Sequence, residues 1–319
     1  MQEVPAGTDP RPLLLVLTGP TGTGKSDWAI RAAEIHPIEI VSVDSAMVYR
    51  SLDIGTAKPS RELRDRIPHH LIDICDPAEA YSAGRFVSDA TARIVEIHAR
   101  GRIPLLVGGT FLYLRALVSG MARLPEASPE LRRVLTERAS RVGWAELHEE
   151  LRRLDPQAAA RIHANDPQRI QRALEVYYCT GRPLSELQRT SPSAVAACRI
   201  RRWALVPSDR GALHGHLAER FNTMMAHGFL SEVESLYRRS DLSAERPAIR
   251  AVGYRELWAH LAGACTLGEA VKRAIAATRQ LAKRQLTWIR ADTTIERIDP
   301  HAPGAFEDWN RDLCDVRFV

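Results

Sequence analysis

Gly19-Pro20-Thr21-Gly22-Thr23-Gly24-Lys25-Ser26 decides the fold. The apolar run Leu13-Leu14-Leu15-Val16-Leu17 precedes it, and a helix-like segment, Asp27 to Glu34, follows. Strand, glycine loop and helix in that order are the context that a phosphate-binding P-loop requires. Glycines let successive backbone N–H groups turn inward around a polyphosphate, and the helix start adds its positive dipole end. Lys25 supplies a mobile cation and Ser26 a hydroxyl for Mg²⁺. A chance glycine-rich turn would lack these flanks. The stretch says that a diphosphate or polyphosphate binds here, but not whether it belongs to a nucleotide.

Outward from the loop the pattern repeats. Ile38-Glu39-Ile40-Val41-Ser42-Val43 is a β-branched run that reads as a second strand and ends at Asp44-Ser45. Pro68-His69-His70 leads into a short strand expected at Leu71 to Ile74. Tyr81 to Arg100 has helical spacing through Phe86, Ala90, Ile94 and Ile97, and Gly101 stops it. Ile103-Pro104-Leu105-Leu106-Val107 is another buried-strand run, closing on Gly108-Gly109-Thr110. Strands alternating with helices imply an α/β fold with a parallel sheet. Ligands of such sheets bind outside the carboxyl ends of the strands. The P-loop, Asp44-Ser45 and Gly108-Gly109-Thr110 should therefore meet at one cleft.

The texture changes from about Gly120. Ser128-Pro129 starts a helix with Leu131, Val134 and Leu135 on one face. Trp144, Leu147, Leu151 and Leu154 make a second stripe. Asp166-Pro167 caps a third helix whose Ile170, Ala173, Leu174 and Tyr177 face inward, with Gly181 as its stop. No strand signal occurs between Met121 and Gln188. Residues 121–194 thus read as an all-helical insertion in a core of residues 1–120 and 195–319. The polar stretch Arg189 to Ala197 leads to Trp203-Ala204-Leu205-Val206, a strand expected to rejoin the sheet. Asp209 to His227 is a helix with Leu213, Leu217, Phe221 and Met224 on one face. In Leu267 to Arg290, Lys272, Arg279, Lys283 and Arg290 follow one helix stripe.

Composition restricts the function classes. The 319 residues are 45% hydrophobic and 26% charged, an ordinary globular balance, and the net charge of +5 permits a polyanionic partner. Five scattered cysteines without a CxxC argue against a disulfide framework or zinc site and fit a reducing cytosol. Met1 to Arg11 has no signal-peptide character, and no apolar run approaches a membrane span. A cytoplasmic protein without a membrane partner is expected, and no one-sided apolar patch argues against a monomer.

Several residues admit two readings at this point. Asp44, at a strand's carboxyl end, is either a catalytic carboxylate or a helix cap or Mg²⁺-water ligand. Thr110 alone reads as a turn hydroxyl, and Arg220 beside an apolar helix face as a surface arginine. His69-His70 and His214-x-His216 lack companion ligands at zinc spacing and read as packing or surface residues. The Lys283-Arg284 helix is either a solvated face or a phosphate-contacting one. A P-loop kinase using ATP explains the loop and Asp44 but leaves that helix idle. A non-catalytic RNA-binding NTPase explains the helix but not the Asp44–Thr110 pair.

A run of motifs narrows the choice. The P-loop is followed by Val43-Asp44-Ser45-Ala46-Met47-Val48-Tyr49-Arg50, Asp53-Ile54-Gly55-Thr56-Ala57-Lys58-Pro59, Pro68-His69-His70-Leu71, Asp76-Pro77 and Tyr81-Ser82-Ala83. Val107-Gly108-Gly109-Thr110 with Leu112-Tyr113, Asn165-Asp166-Pro167-Gln168-Arg169 and Arg172-Ala173-Leu174-Glu175 come next. Arg250-Ala251-Val252-Gly253-Tyr254-Arg255 and Thr278-Arg279-Gln280-Leu281-Ala282-Lys283-Arg284-Gln285 complete the series. In this order, across nearly the whole chain, they resemble the bacterial tRNA dimethylallyltransferases, also called tRNA isopentenyltransferases. That family's loop often reads Ala-Ser-Gly-Lys-Thr where this chain has Gly22-Thr23-Gly24-Lys25-Ser26, and Ser26 keeps the hydroxyl. An adenylate isopentenyltransferase is a nearer alternative, but it would not need the RNA-contacting segments.

The resemblance implies a P-loop NTPase-like core. It also implies transfer of a dimethylallyl group from dimethylallyl diphosphate to N6 of the adenine just 3′ of the tRNA anticodon. Residues Gly19 to Ser26 would cradle the diphosphate, with Mg²⁺ on Ser26. Asp44 would act as the base, Thr110 would position the amine, and Arg220 would contact the diphosphate. The segments implied to contact the tRNA anticodon stem-loop are Asp44, Ser45, Ala46 and Met47; Thr110; Arg132; Gln168, Arg169, Ile170, Gln171 and Arg172; Arg250, Ala251, Val252, Gly253, Tyr254 and Arg255; and Lys283, Arg284, Gln285 and Arg290.

Overall fold

The structure is a computed structural model and describes residues 9–318 apart from 123, 126–127 and 189–191. Residues 1–8 of the polar N-terminus and 189–191 of the polar stretch lie outside the described residues. In chain order the elements begin with β1 (Leu13–Thr18), α1 (Lys25–Ile35), β2 (Ile38–Ser42), α2 (Arg61–Arg66), β3 (His69–His70), α3 (Ala83–Ala99), β4 (Ile103–Gly108) and α4 (Phe111–Ser119). Helices α5 (Pro129–Val142), α6 (Trp144–Leu154), α7 (Pro156–Ala159), α8 (Pro167–Thr180) and α9 (Leu184–Leu187) follow, with no strand among the described residues there. The chain ends with β5 (Arg199–Leu205), α10 (Arg210–Ala226), α11 (Phe229–Tyr237), α12 (Tyr254–Leu261), α13 (Leu267–Ala291), β6 (Glu296–Ile298) and α14 (Ala305–Phe318).

The strands form one sheet in the order β3-β2-β4-β1-β5-β6, and every pairing is parallel. β1 and β4 are almost wholly buried apolar runs, as strands covered on both faces must be. On one face Leu15, Leu17, Ile38, Ile40, Leu105 and Val107 pack with Trp28 of α1 and with Phe306, Trp309 and Leu313 of α14. On α3, Phe86, Ala90, Ile94 and Ile97 are buried at the spacing read from the sequence. With β2, β4 and β1 adjacent, the turns after these three strands share one edge of the sheet.

The chain divides into two compact units, one of residues up to Leu114 together with those from Val195 onward, the other Arg115–Ala194. The second has its own core of Leu135, Leu147, Leu151, Ile170, Ala173, Leu174 and Leu184. Its helices start where capping chemistry puts them: the side chains of Ser128 and Asp166 accept from the N–H groups of Leu131 and Arg169. Pro129 and Pro167 stand in the first helical turns, where no N–H is needed.

Two expectations need correction. The short strand is His69–His70, paired with Ile40 and Val41, and not Leu71 to Ile74. Leu71 and Asp73 turn the chain at φ of 63° and 58°, and the Asp73 carboxylate is held there by Lys58 and Arg64. β5 begins at Arg199, opposite Leu13, four residues before the apolar run that signals it. Beyond Asp292 the chain adds β6 and α14. Trp309 packs edge-on against Trp203 of β5 at 6.0 Å, so the tail closes one face of the sheet.

Candidate active site

The P-loop keeps the conformation its glycines allow. Gly22 and Gly24 sit at φ of 80° and 79°, where a side chain would be strained, and α1 starts on Gly24 with no side-chain cap. The first N–H groups of α1 are therefore left for a ligand. Lys25 Nζ donates to Pro20 O at 2.6 Å within the loop. Burial, with the Arg220 cation nearby, pulls the Lys25 pKa down to about 7, and Asp44 opposes that shift.

Asp44 stands just beyond β2. Its Oδ1 accepts from Ala46 N at 2.8 Å and Met47 N at 3.2 Å, while Oδ2 has no protein donor among the described residues. One oxygen thus caps a turn, and the other is open to the cleft. Ser45 N donates to Thr110 Oγ1 at 3.1 Å, which ties the turn after β2 to the turn after β4. The three turns do converge. Thr21, Lys25, Ser26, Asp44, Met47, Gly109 and Arg220 line one cavity of about 300 Å³. It shares Thr21, Asp44, Thr56, Gly109, Arg220 and Gln285 with a second cavity of about 450 Å³. The second is walled by Phe111, Leu217, Phe221, Met224, Leu281 and Trp288. A half lined by the P-loop therefore continues into a more apolar half, with Asp44 at the junction.

Arg220 is not a surface arginine. It is half-buried, its Nη1 donates to Thr21 Oγ1 at 3.3 Å, and it lines both halves. Burial lowers its pKa, and the carboxylates of Asp44 and Asp27 work against that. Arg220 and Lys25 together make a cationic rim facing two acids.

The IPP transferase family matches the chain over residues 47–292. A tRNA dimethylallyltransferase of Methylococcus capsulatus is 55% identical over 293 residues, 92% of this chain and 94% of that relative. The chain belongs to this family. A second member, from Thioalkalivibrio sulfidiphilus, is 54% identical over 91% of this chain and 92% of its own length. A tRNA isopentenylpyrophosphate transferase of Bacillus halodurans, 34% identical, superposes with a TM-score of 0.69 over 96% of both chains. A eukaryotic dimethylallyltransferase solved acting on tRNA, 28% identical, gives 0.76 over 96% of this chain and 78% of that one. The fold is thus that of the tRNA isopentenyltransferases, and the chain is a transferase of this prenyl-transferring, tRNA-modifying family.

The family match starts at residue 47, after the P-loop and Asp44, so the roles of those residues rest on geometry. Several residues expected to touch tRNA are placed otherwise. Ile170 is fully buried in the helical core, on the inward stripe its spacing predicts, and its side chain is unavailable to RNA. Arg132 and Arg172 are committed to the buried carboxylate of Glu175, at 3.2 and 2.8 Å. Gln171 Nε2 donates to Arg132 O and Thr136 Oγ1, both at 3.0 Å. Gln168 and Arg169 are exposed, and Arg169 pairs with Asp166 at 3.3 Å. Gly253 and Tyr254 are buried: a side chain at Gly253 would strike Phe229, and Tyr254 Oη donates to Glu232 Oε1. Arg255 pairs with Glu256. Arg250, Ala251, Val252 and Arg284 line the apolar half, while Lys283 and Arg290 are exposed on α13. Gln285 is 7% exposed and faces the P-loop, not solvent.

Glu232 was not singled out from the sequence. Its carboxylate accepts from the N–H groups of Asp53, Ile54 and Gly55 at 3.0, 2.7 and 3.2 Å, anchoring the loop that carries Thr56 into the cleft. His216, read as a packing or surface residue, is exposed but also lines the P-loop half of the cleft. His70 Nε2 meets Glu39 at 2.7 Å, and the His69 ring meets Ile67 O. No group of three or more His, Cys, Asp or Glu placed for a metal occurs among the described residues. No helix among them is long and apolar enough to cross a membrane.

Proposed function

We propose that the protein moves the dimethylallyl group of dimethylallyl diphosphate onto the exocyclic N6 of the adenine on the 3′ side of the tRNA anticodon, releasing diphosphate. The observation that carries this reading is the two-part cleft. A diphosphate fits the N–H groups at the start of α1, and a short branched hydrocarbon fits the adjoining wall of Leu217, Phe221 and Met224.

The carbon–oxygen bond to the diphosphate breaks as the N6–carbon bond forms. Lys25, Arg220 and the loop N–H groups offset the charge that grows on the leaving oxygen. Asp44 Oδ2 takes the proton that N6 loses, and Thr110 Oγ1 orients the amine. Ser26, in the first turn of α1, fits Mg²⁺ as a single protein ligand, because Mg²⁺ keeps several waters and binds through phosphate oxygens. When bound, the ion supplies further positive charge to the diphosphate. The adenine leaves its stack to reach the cleft, as enzymes that modify bases require. Arg250, Lys283, Arg284 and Arg290 grip the flanking backbone. The setting is cytoplasmic, and the protein acts as a monomer.

Unmodified tRNA incubated with labelled dimethylallyl diphosphate and Mg²⁺ should yield labelled N6-dimethylallyladenosine at that one position after nuclease digestion. Label on another atom or another nucleotide contradicts the reading.

A further inference from the structure

Gln285 does two things at once. Its Oε1 accepts from Thr21 N at 2.8 Å, and its Nε2 donates to Gly109 O at 2.9 Å. It bridges the P-loop and the turn that carries Thr110, and it is almost wholly buried. The approach is so close that a Cβ on Gly109 would lie 2.2 Å from Gln285 Nε2, which explains why glycine stands there. Thr21 is held from the other side too, since its hydroxyl accepts from Arg220 Nη1. The Thr21 N–H is therefore spent on the protein, and the first half of the loop is fixed before any phosphate arrives.

We infer that Gln285 is a positioning residue of the diphosphate site, setting the P-loop against the Gly109–Thr110 turn, and not a tRNA contact. The inference rests on the proposed function for the identity of the diphosphate. Losing both hydrogen bonds lets the loop sample other shapes and weakens its grip on the leaving group. The neighbouring Lys283 and Arg284 side chains stay exposed on α13, so RNA binding is untouched.

Gln285→Met keeps the side chain's length and removes both bonds. Inorganic diphosphate binding by calorimetry and the donor kcat/KM should each fall about tenfold, while the affinity for an anticodon stem-loop stays within about twofold. Gly109→Ala, which displaces Gln285 without touching it chemically, should reproduce the pattern and keeps the test alive if the first variant does not fold. Weakened stem-loop binding with unchanged diphosphate affinity would overturn the inference, and so would no change in either. A wild-type protein that binds no diphosphate would sink the site reading itself, which is a separate result.

Discussion

Glu39 and Asp44 stand five residues apart, one within β2 and the other just past its end, and their surroundings are opposite. Glu39 is 3% exposed and enclosed by Arg100 at 2.6 Å, Arg102 at 3.2 Å and the His70 ring at 2.7 Å. Burial pushes its pKa up, but Arg100 and His70 outweigh that and hold the carboxyl below its ordinary range. Asp44 has two backbone N–H groups on one oxygen and none on the other. A carboxylate with every lone pair answered holds a fold together. One with a lone pair left open toward a cavity is available to a substrate proton.

Exchanging the two acids for amides tests that contrast. Asp44→Asn keeps the acceptor for Ala46 and Met47 and removes only basicity. Turnover in a steady-state prenylation assay should fall by about a hundredfold or more, with tRNA binding intact. Normal turnover would remove Asp44 from the role of base. Glu39→Gln should leave turnover alone and lower unfolding stability by about 2 kcal/mol in urea titrations. For a depressed carboxyl the sign is fixed. Its contribution is present above the unfolded glutamate pKa of about 4.3 and fades as pH falls through the lower folded value, so the variant should lack that acid-side loss.

Two smaller effects sharpen the account. Lys25 is shifted downward too, but for a lysine that marks a charge disfavoured by folding rather than one held by partners. Its folded pKa of about 7 lies below the ordinary lysine value, so near pH 8 the folded protein holds fewer protons there than the unfolded chain. Bound diphosphate should restore the charge. Calorimetry at pH 8 in buffers of different ionisation enthalpy should show uptake of about one proton per site, absent in Lys25→Arg. Lys283→Ala should flatten the plot of log affinity for tRNA against log salt by about 0.7 to 0.9. An unchanged slope would make that side chain part of a solvated face.

Much of this was legible in the sequence because local signals agreed. The P-loop, its flanking strand and the polar turns after β2 and β4 each carry their own pattern, and a parallel sheet does the rest. Where the sequence misled, a distant partner or a competing pattern was decisive. Gln285 meets Thr21 across 264 positions, which no spacing rule reveals. Ile170 was placed inward by helical period and outward by the resemblance of its segment, and the period was right. β6 is three residues long with Glu and Arg in it, too short and polar to announce itself. Glu232 acts on backbone N–H groups, which leave no trace in the residue types they belong to.

The central claim is that the phosphate held at Gly19 to Ser26 is a leaving group and not an energy source. The most direct test offers the protein unmodified tRNA with labelled dimethylallyl diphosphate or labelled ATP in parallel, and follows both products. The account predicts diphosphate released in step with prenylated tRNA, at a rate indifferent to ATP. Consumption of ATP with dimethylallyl diphosphate left intact would contradict it.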